Sequence, residues 1–207
     1  MVAAAPQRRE RRKQEVRTRI VGAALELLDE QGFEATKVQD ICERADVVYK
    51  TFFNHFPTKH HLLRDIAERQ LATLLETIRI ARVEKRSTRE RLNDFFERIT
   101  DNIDAAGPMR RELVTEILHA TQGSAAGSEQ SRLLHDAFAE LIRDGRAKGD
   151  VRPDHTLVTQ AELVLGTFYA LVLSWAHDES YPLRRRALAA ARLLGDALCV
   201  APEGIRS

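Results

Sequence analysis

Several familiar functional classes are excluded by what this chain lacks. Only two of its 207 residues are cysteine, Cys42 and Cys199. They lie far apart and outside any CxxC spacing, so neither a disulfide framework nor a cysteine zinc site is expected. Ten glycines, six prolines and 6% aromatic residues, with 43% hydrophobic residues, give the profile of a soluble globular protein rather than a disordered one. The formal net charge is +1, so any attraction to nucleic acid must come from a local patch rather than from the average field. The first twenty residues contain no apolar signal core. The longest apolar run, 161–176, is broken by Glu162 and is shorter than the roughly 20 residues of a bilayer span. It reads as a buried helix, and the expectation is a cytoplasmic protein with no membrane partner. No GxSxG, HExxH, phosphate-loop or dinucleotide motif occurs, so no catalytic residues and no cofactor are expected. His60, His61 and Asp65 are too few to hold a metal ion, and no metal is expected.

What is present favours helix. Charged residues make up 30% and hydrophobic residues 43% of the chain, with alanine, leucine, arginine and glutamate prominent. Val16, Ile20, Ala24, Leu27 and Leu28 recur at helical spacing, and Gly32 predicts the end of that helix. Thr36 with Gln39 predicts a capping box opening a second helix that closes near Ala45, with Asp46 as the turn residue. A third short helix is predicted from Val48 to Phe56, where Pro57 stops it. Longer helices are predicted from Thr58 toward Glu84, from Ser87 (with Glu90 as its box partner) to about Ile103, and from Pro108 to about Thr121. Three more are predicted over Leu133 to Lys148, Pro153 to His177, and Pro182 to about Val200. Residues 122–131 read as a loop. With no strand pattern or repeat, the expected class is all-α.

Two stretches carry chemistry. Arg8, Arg9, Arg11, Arg12, Lys13, Arg17 and Arg19 crowd the first twenty residues, either as a solvated tail or as a basic arm. The stretch VVYKTFFNHFPTK, 47–59, is stranger. On a helix Val48, Phe52 and Phe56 form an apolar row, while Tyr49 pairs with Phe53, Lys50 with Asn54, and Thr51 with His55. No carboxylate occurs from Val47 to His61. A carboxylate there would repel a phosphate backbone, and a two-turn helix bearing Tyr, Lys, Thr and Asn fits a DNA major groove. Lys37, His55 and Lys59, with the arm, are expected to meet phosphates.

Residues 18–63 resemble the DNA-binding domain of the TetR family of bacterial transcriptional regulators. The resemblance rests on Ile20, Ala23, Ala24, Gly32, Phe33, Thr36, Ile41, Ala45, Val47, Thr51, His55, Phe56, Lys59, Leu62 and Leu63. Four positions depart from the family pattern. Asp46 replaces a turn glycine, Val48 a capping serine, Lys50 a glycine, and Phe53 a tyrosine that reaches a phosphate; Tyr49 is a candidate to supply that missing donor.

The resemblance implies a three-helix helix-turn-helix domain over residues 1–63 and a larger helical ligand-binding and dimerisation domain over 64–207. It also implies a ligand-responsive repressor that binds a palindromic double-stranded operator as a homodimer and is released by a small-molecule inducer. The expected DNA contacts are Thr36, Lys37, Val48, Tyr49, Lys50, Thr51, Phe53, Asn54, His55 and Lys59. The last two helices are expected to pair with those of a second subunit, helped by the small residues Gly166, Ala170, Ala189, Ala190 and Ala197. Candidate effector contacts are Phe95, Phe96, Ile99, Leu113, Ile117, Phe138, Phe168 and Trp175, which also read as plain core, with Asn102, Glu116, His119 and Tyr169 as polar groups. Met109 completes the apolar set. The competing reading is a helical protein-interaction module with a degenerate helix-turn-helix.

Overall fold

The computed structural model describes residues 4–83, 86–104, 111, 114–115 and 125–201. Eight described helices follow one another: α1 (Ala4–Ala35), α2 (Val38–Arg44), α3 (Tyr49–His55), α4 (Lys59–Val83), α5 (Thr88–Asp104), α6 (Ala125–Lys148), α7 (Leu157–His177) and α8 (Leu183–Leu198). The fold is all-α; the sole strand-like feature among the described residues is an isolated bridge between Val151 and Cys199. The chain divides into two compact units, and the division falls inside α4 between Glu68 and Arg69.

The first unit is built on α1 to α3 and the start of α4. Ile20, Ala24, Leu27 and Leu28 of α1, Ile41 of α2, Phe52 of α3 and Phe56 just after it, and Leu62, Leu63 and Ile66 of α4 are all buried in one core. Burying such side chains supplies about 1.5–3 kcal/mol each before entropy is subtracted. The short helices α2 and α3 therefore depend on this core rather than on their own propensity.

Local chemistry sets the boundaries, with some shifts from expectation. α1 begins at Ala4 rather than near Val16, because Gln, Arg, Glu and Lys are good helix formers and nothing between them breaks the chain. The basic stretch is thus a helical extension and not a free tail. Gly32 adopts φ 80° and ψ 175° and kinks the end of α1, a conformation that favours glycine. The cap of α2 falls on Lys37, one residue after Thr36. There the Asp40 carboxylate accepts the Lys37 N–H at 3.0 Å, while Gln39 bonds Glu43 instead. Asp46 takes the positive φ, 51°, that the turn between α2 and α3 requires.

In the second unit α5 packs on α8, α6 on α7, and α7 on α8. Ser87 and Glu90 form the expected capping box: Glu90 Oε2 accepts the Ser87 N–H at 2.8 Å, and Ser87 Oγ accepts the Glu90 N–H at 3.3 Å. Asp150 ties three elements together. Its carboxylate accepts from the Thr88 N–H (2.7 Å) and hydroxyl (2.8 Å), its N–H donates to Gly145 O, and its carbonyl accepts the Val200 N–H. A side chain at Gly145 would collide with Thr88, so the approach of α6 to the start of α5 requires glycine.

α6 begins at Ala125, not Leu133; alanine, glutamate and glutamine extend it through the expected loop. α7 begins at Leu157, not Pro153, capped by Thr156, whose hydroxyl accepts the Thr159 N–H. The helix expected from Pro108 to Thr121 lies outside the described residues apart from Arg111, Val114 and Thr115, which are helical.

Candidate nucleic-acid interface

α2 and α3 pack on one another through a tight turn, the arrangement of a helix-turn-helix. In the turn the Val47 N–H donates to Cys42 O and the Asp46 N–H to Glu43 O. α3 has no side-chain cap: Val48 sits at its N-cap in extended conformation, as loss of the family serine implies.

Each buried ring of α3 fixes what its other faces present. Phe52 is fully buried and Phe56 nearly so. At 100° per residue, Lys50 and Asn54 stand opposite Phe52 and are both exposed. Tyr49 and Phe53 form one flank, also exposed, with ring centroids 5.3 Å apart. Thr51 and His55 form the other flank and are half-buried. Val48 does not join the apolar row with Phe52 and Phe56. Its N-cap conformation turns it off that face, and it is 70% exposed.

Two expected DNA contacts are committed elsewhere. Thr36 is buried, and its hydroxyl donates to the Gly32 carbonyl at 2.6 Å, closing the kink after α1. The ammonium of Lys59 donates to the Phe33 carbonyl and lies 3.7 Å from the Phe33 ring centroid, which holds α4 to the end of α1. Thr36 is thus a buried brace, and the half-buried Lys59 ties α4 to the end of α1. Lys37 is exposed.

Residue patterning gave no signal for the main organiser of this region, Arg17. Its Nε and Nη2 donate to Asp65 Oδ1 at 3.1 and 2.7 Å, Nη1 donates to the His55 carbonyl at 3.3 Å, and its guanidinium lies 4.5 Å from the Phe56 ring centroid. One of the seven cations in the basic stretch is thus spent on fixing the C-terminal end of α3. Beside it, His55 Nδ1 is buried without a hydrogen-bond partner among the described residues. Burial, with lesser contributions from Arg17 and Lys13, holds the His55 imidazole below its usual value.

In the second unit Phe95 meets Phe96, Phe138 and Phe168 at centroid distances of 5.1, 5.1 and 6.0 Å. Trp175 is also buried, Ile99 is half-buried and Asn102 is exposed. The Tyr169 hydroxyl shares a 3.1 Å hydrogen bond with Ser131 Oγ. One turn after Ser131, His135 Nε2 is buried with no partner among the described residues. Ser131 and His135 carry no signal in the sequence, because each lies in an otherwise ordinary amphipathic stretch. Leu113, Glu116, Ile117 and His119, with Met109, lie outside the described residues.

The family described as bacterial regulatory proteins, tetR family, matches residues 20–66, the span that holds α2, α3 and their supporting core. The HTH-type transcriptional repressor KstR of Rhodococcus jostii is 27% identical over 189 residues, covering 89% of this chain and 85% of that one. Its N-terminal region is similar to that of the TetR family. A second relative, the HTH-type transcriptional regulator UidR of Escherichia coli, is 26% identical over 178 residues, covering 84% of this chain and 87% of that one. The TetR fold extends over both units. A TetR-family regulator from Pectobacterium atrosepticum superposes with a TM-score of 0.75 at 21% identity, covering 93% of this chain and 98% of that one. FadR of Thermus thermophilus, solved in complex with lauroyl-CoA, superposes with a TM-score of 0.65 at 25% identity, covering 92% and 98%.

Proposed function

We propose that the protein is a homodimeric repressor, acting in the cytoplasm without enzymatic activity, that binds a palindromic operator and leaves it when a small molecule binds the second domain. In this reading residues 1–63 form the DNA-binding domain and 64–207 the effector and dimerisation domain. The observation that carries it is the outward face of α3: Lys50 and Asn54 stand exposed at its centre, with no carboxylate from Val47 to His61. Lys is suited to guanine O6 and N7, and Asn to adenine N6 and N7. Lys37 and the cations of α1 contact phosphates and set the register.

Dimerisation follows from an uncovered apolar stripe. Leu163, Gly166, Ala170 and Leu173 recur at three- and four-residue spacing along α7, and all are exposed. Leu193, 69% exposed, lies on α8. α7 is by length and composition apolar enough to cross a bilayer, and a partner's matching helices account for that exposed apolar surface. Two recognition helices about 34 Å apart then read successive half-sites.

An effector acts by preferring the arrangement in which the recognition helices are wrongly spaced. The lauroyl-CoA bound by Thermus thermophilus FadR supports an effector with a large apolar part. Phe95, Phe138 and Phe168, buried against one another, form the apolar core that such an effector would have to part, with Tyr169 as a polar group beside them. Selection of DNA from a random pool tests the reading: it should return an inverted repeat. Recovery of unrelated sequences at unchanged affinity would sink it.

A further inference from the structure

The exposed face of α3 carries more than hydrogen-bonding groups. Tyr49 and Phe53 of this seven-residue helix are 52% and 42% exposed, and Val48 at its N-cap is 70% exposed. The rings are also held in place. Phe53 packs edge-on against the buried Phe52 at 5.3 Å and 80°, and Tyr49 leans on Phe53 at 5.3 Å and 49°. Little side-chain freedom is lost when such a braced pair meets a partner.

The surroundings of the pair decide which partner it meets. Lys50 and Asn54 lie next to it on the same exposed helix, and no carboxylate occurs from Val47 to His61. This charge pattern suits a polyanion. Within the major groove every base edge offers hydrogen-bond donors or acceptors, and thymine alone adds an apolar group, its C5 methyl. An apolar ring that enters the groove beside a lysine and an asparagine therefore has one apolar feature to cover.

We propose that Tyr49 and Phe53 form an apolar platform that reads thymine C5 methyl groups, alongside hydrogen-bond reading by Lys50 and Asn54. The inference rests on the DNA-binding reading above and adds a specificity: each half-site contains thymine at a fixed step from the base pairs read by Lys50 and Asn54. Because the contact is apolar, it releases no counterions and leaves the salt dependence of binding unaltered.

Deoxyuridine differs from thymidine only by the missing methyl, so the test removes the contact from the DNA and leaves the protein intact. With the full-length protein and an operator selected from a random pool, each dT is replaced singly by dU and Kd is measured by fluorescence anisotropy. One or two positions per half-site should bind about fourfold more weakly, the transfer free energy of one methyl group. At those positions Phe53→Ala should bind dT and dU equally, with an unchanged salt slope; Tyr49→Ala provides the same comparison should Phe53→Ala fold poorly. Sequence-selective binding that depends on Lys50 and Asn54 but is indifferent to every dU replacement would overturn the inference while leaving the DNA-binding reading intact. Absence of any sequence-selective binding would overturn both.

Discussion

Arg17 on α1 grips Asp65 on α4 through two donors, Nε and Nη2, converging on one carboxylate oxygen. The pair is largely shielded, with the Arg17 side chain 32% and the Asp65 side chain 10% exposed. The same guanidinium holds the His55 carbonyl and covers the Phe56 ring, so the contact fixes where the recognition helix ends. Charge-assisted hydrogen bonds shielded in this way contribute about 1.5–3 kcal/mol each. Asp65→Asn keeps the volume but leaves the guanidinium without its counter-charge. We expect a loss of about 2 kcal/mol in urea unfolding, with weaker operator binding to follow. An unchanged midpoint would show that the pair is dispensable.

His55 makes the first unit sensitive to acid. Its folded-state pKa is lowered, chiefly by burial, while the unfolded chain titrates at about 6.5. Above that value neither state is protonated and the group has no effect. As pH falls through it, the unfolded state takes up the proton first, and stability declines until the folded pKa is reached. Thermal melts between pH 7.5 and 5 should therefore show a falling Tm. The fall should be shallower in His55→Gln, which cannot charge; parallel curves for the two proteins would remove His55 as the cause.

How much of this was legible in the sequence depends on the range of each interaction. Asp46, Gly32, the Ser87 and Glu90 box and the buried Phe52 and Phe56 are set within a few residues, and local patterning locates them. The tertiary roles of Thr36 and Lys59 were not legible. Thr36 bonds back to the carbonyl of Gly32, and Lys59 reaches Phe33, 26 residues earlier. A motif match names such positions without saying whether they face DNA or brace the helices that do. The Arg17 grip on Asp65 spans 48 residues, and in sequence Arg17 is one cation among seven. The start of α6 at Ala125 is not legible because Gly127 and Ser128 signal a loop, yet packing of α6 on α7 outweighs their propensity.

The stripe on α7 and α8 gives a separate handle on assembly. Leu193→Asp sets a charge on a 69% exposed position, so the fold of the isolated chain is little affected. A charge buried without a partner at an interface is strongly unfavourable. Sedimentation should show the native chain as a dimer and the variant as a folded monomer with unchanged circular dichroism. A variant that sediments as the native chain does would place the interface elsewhere.

The central claim, that α3 reads DNA with its Lys50 and Asn54 face, is tested most directly by operator affinity against salt concentration for the native protein, Lys50→Ala, Asn54→Ala and Lys59→Ala. Loss of either base-reading side chain should cost about 1–3 kcal/mol and relax the choice of base at one position. Lys59→Ala should lower stability with little change in the salt slope, because its ammonium is held at Phe33. If Lys50→Ala and Asn54→Ala bind the operator with native affinity and native sequence preference, the α3 surface does not read DNA and the account fails.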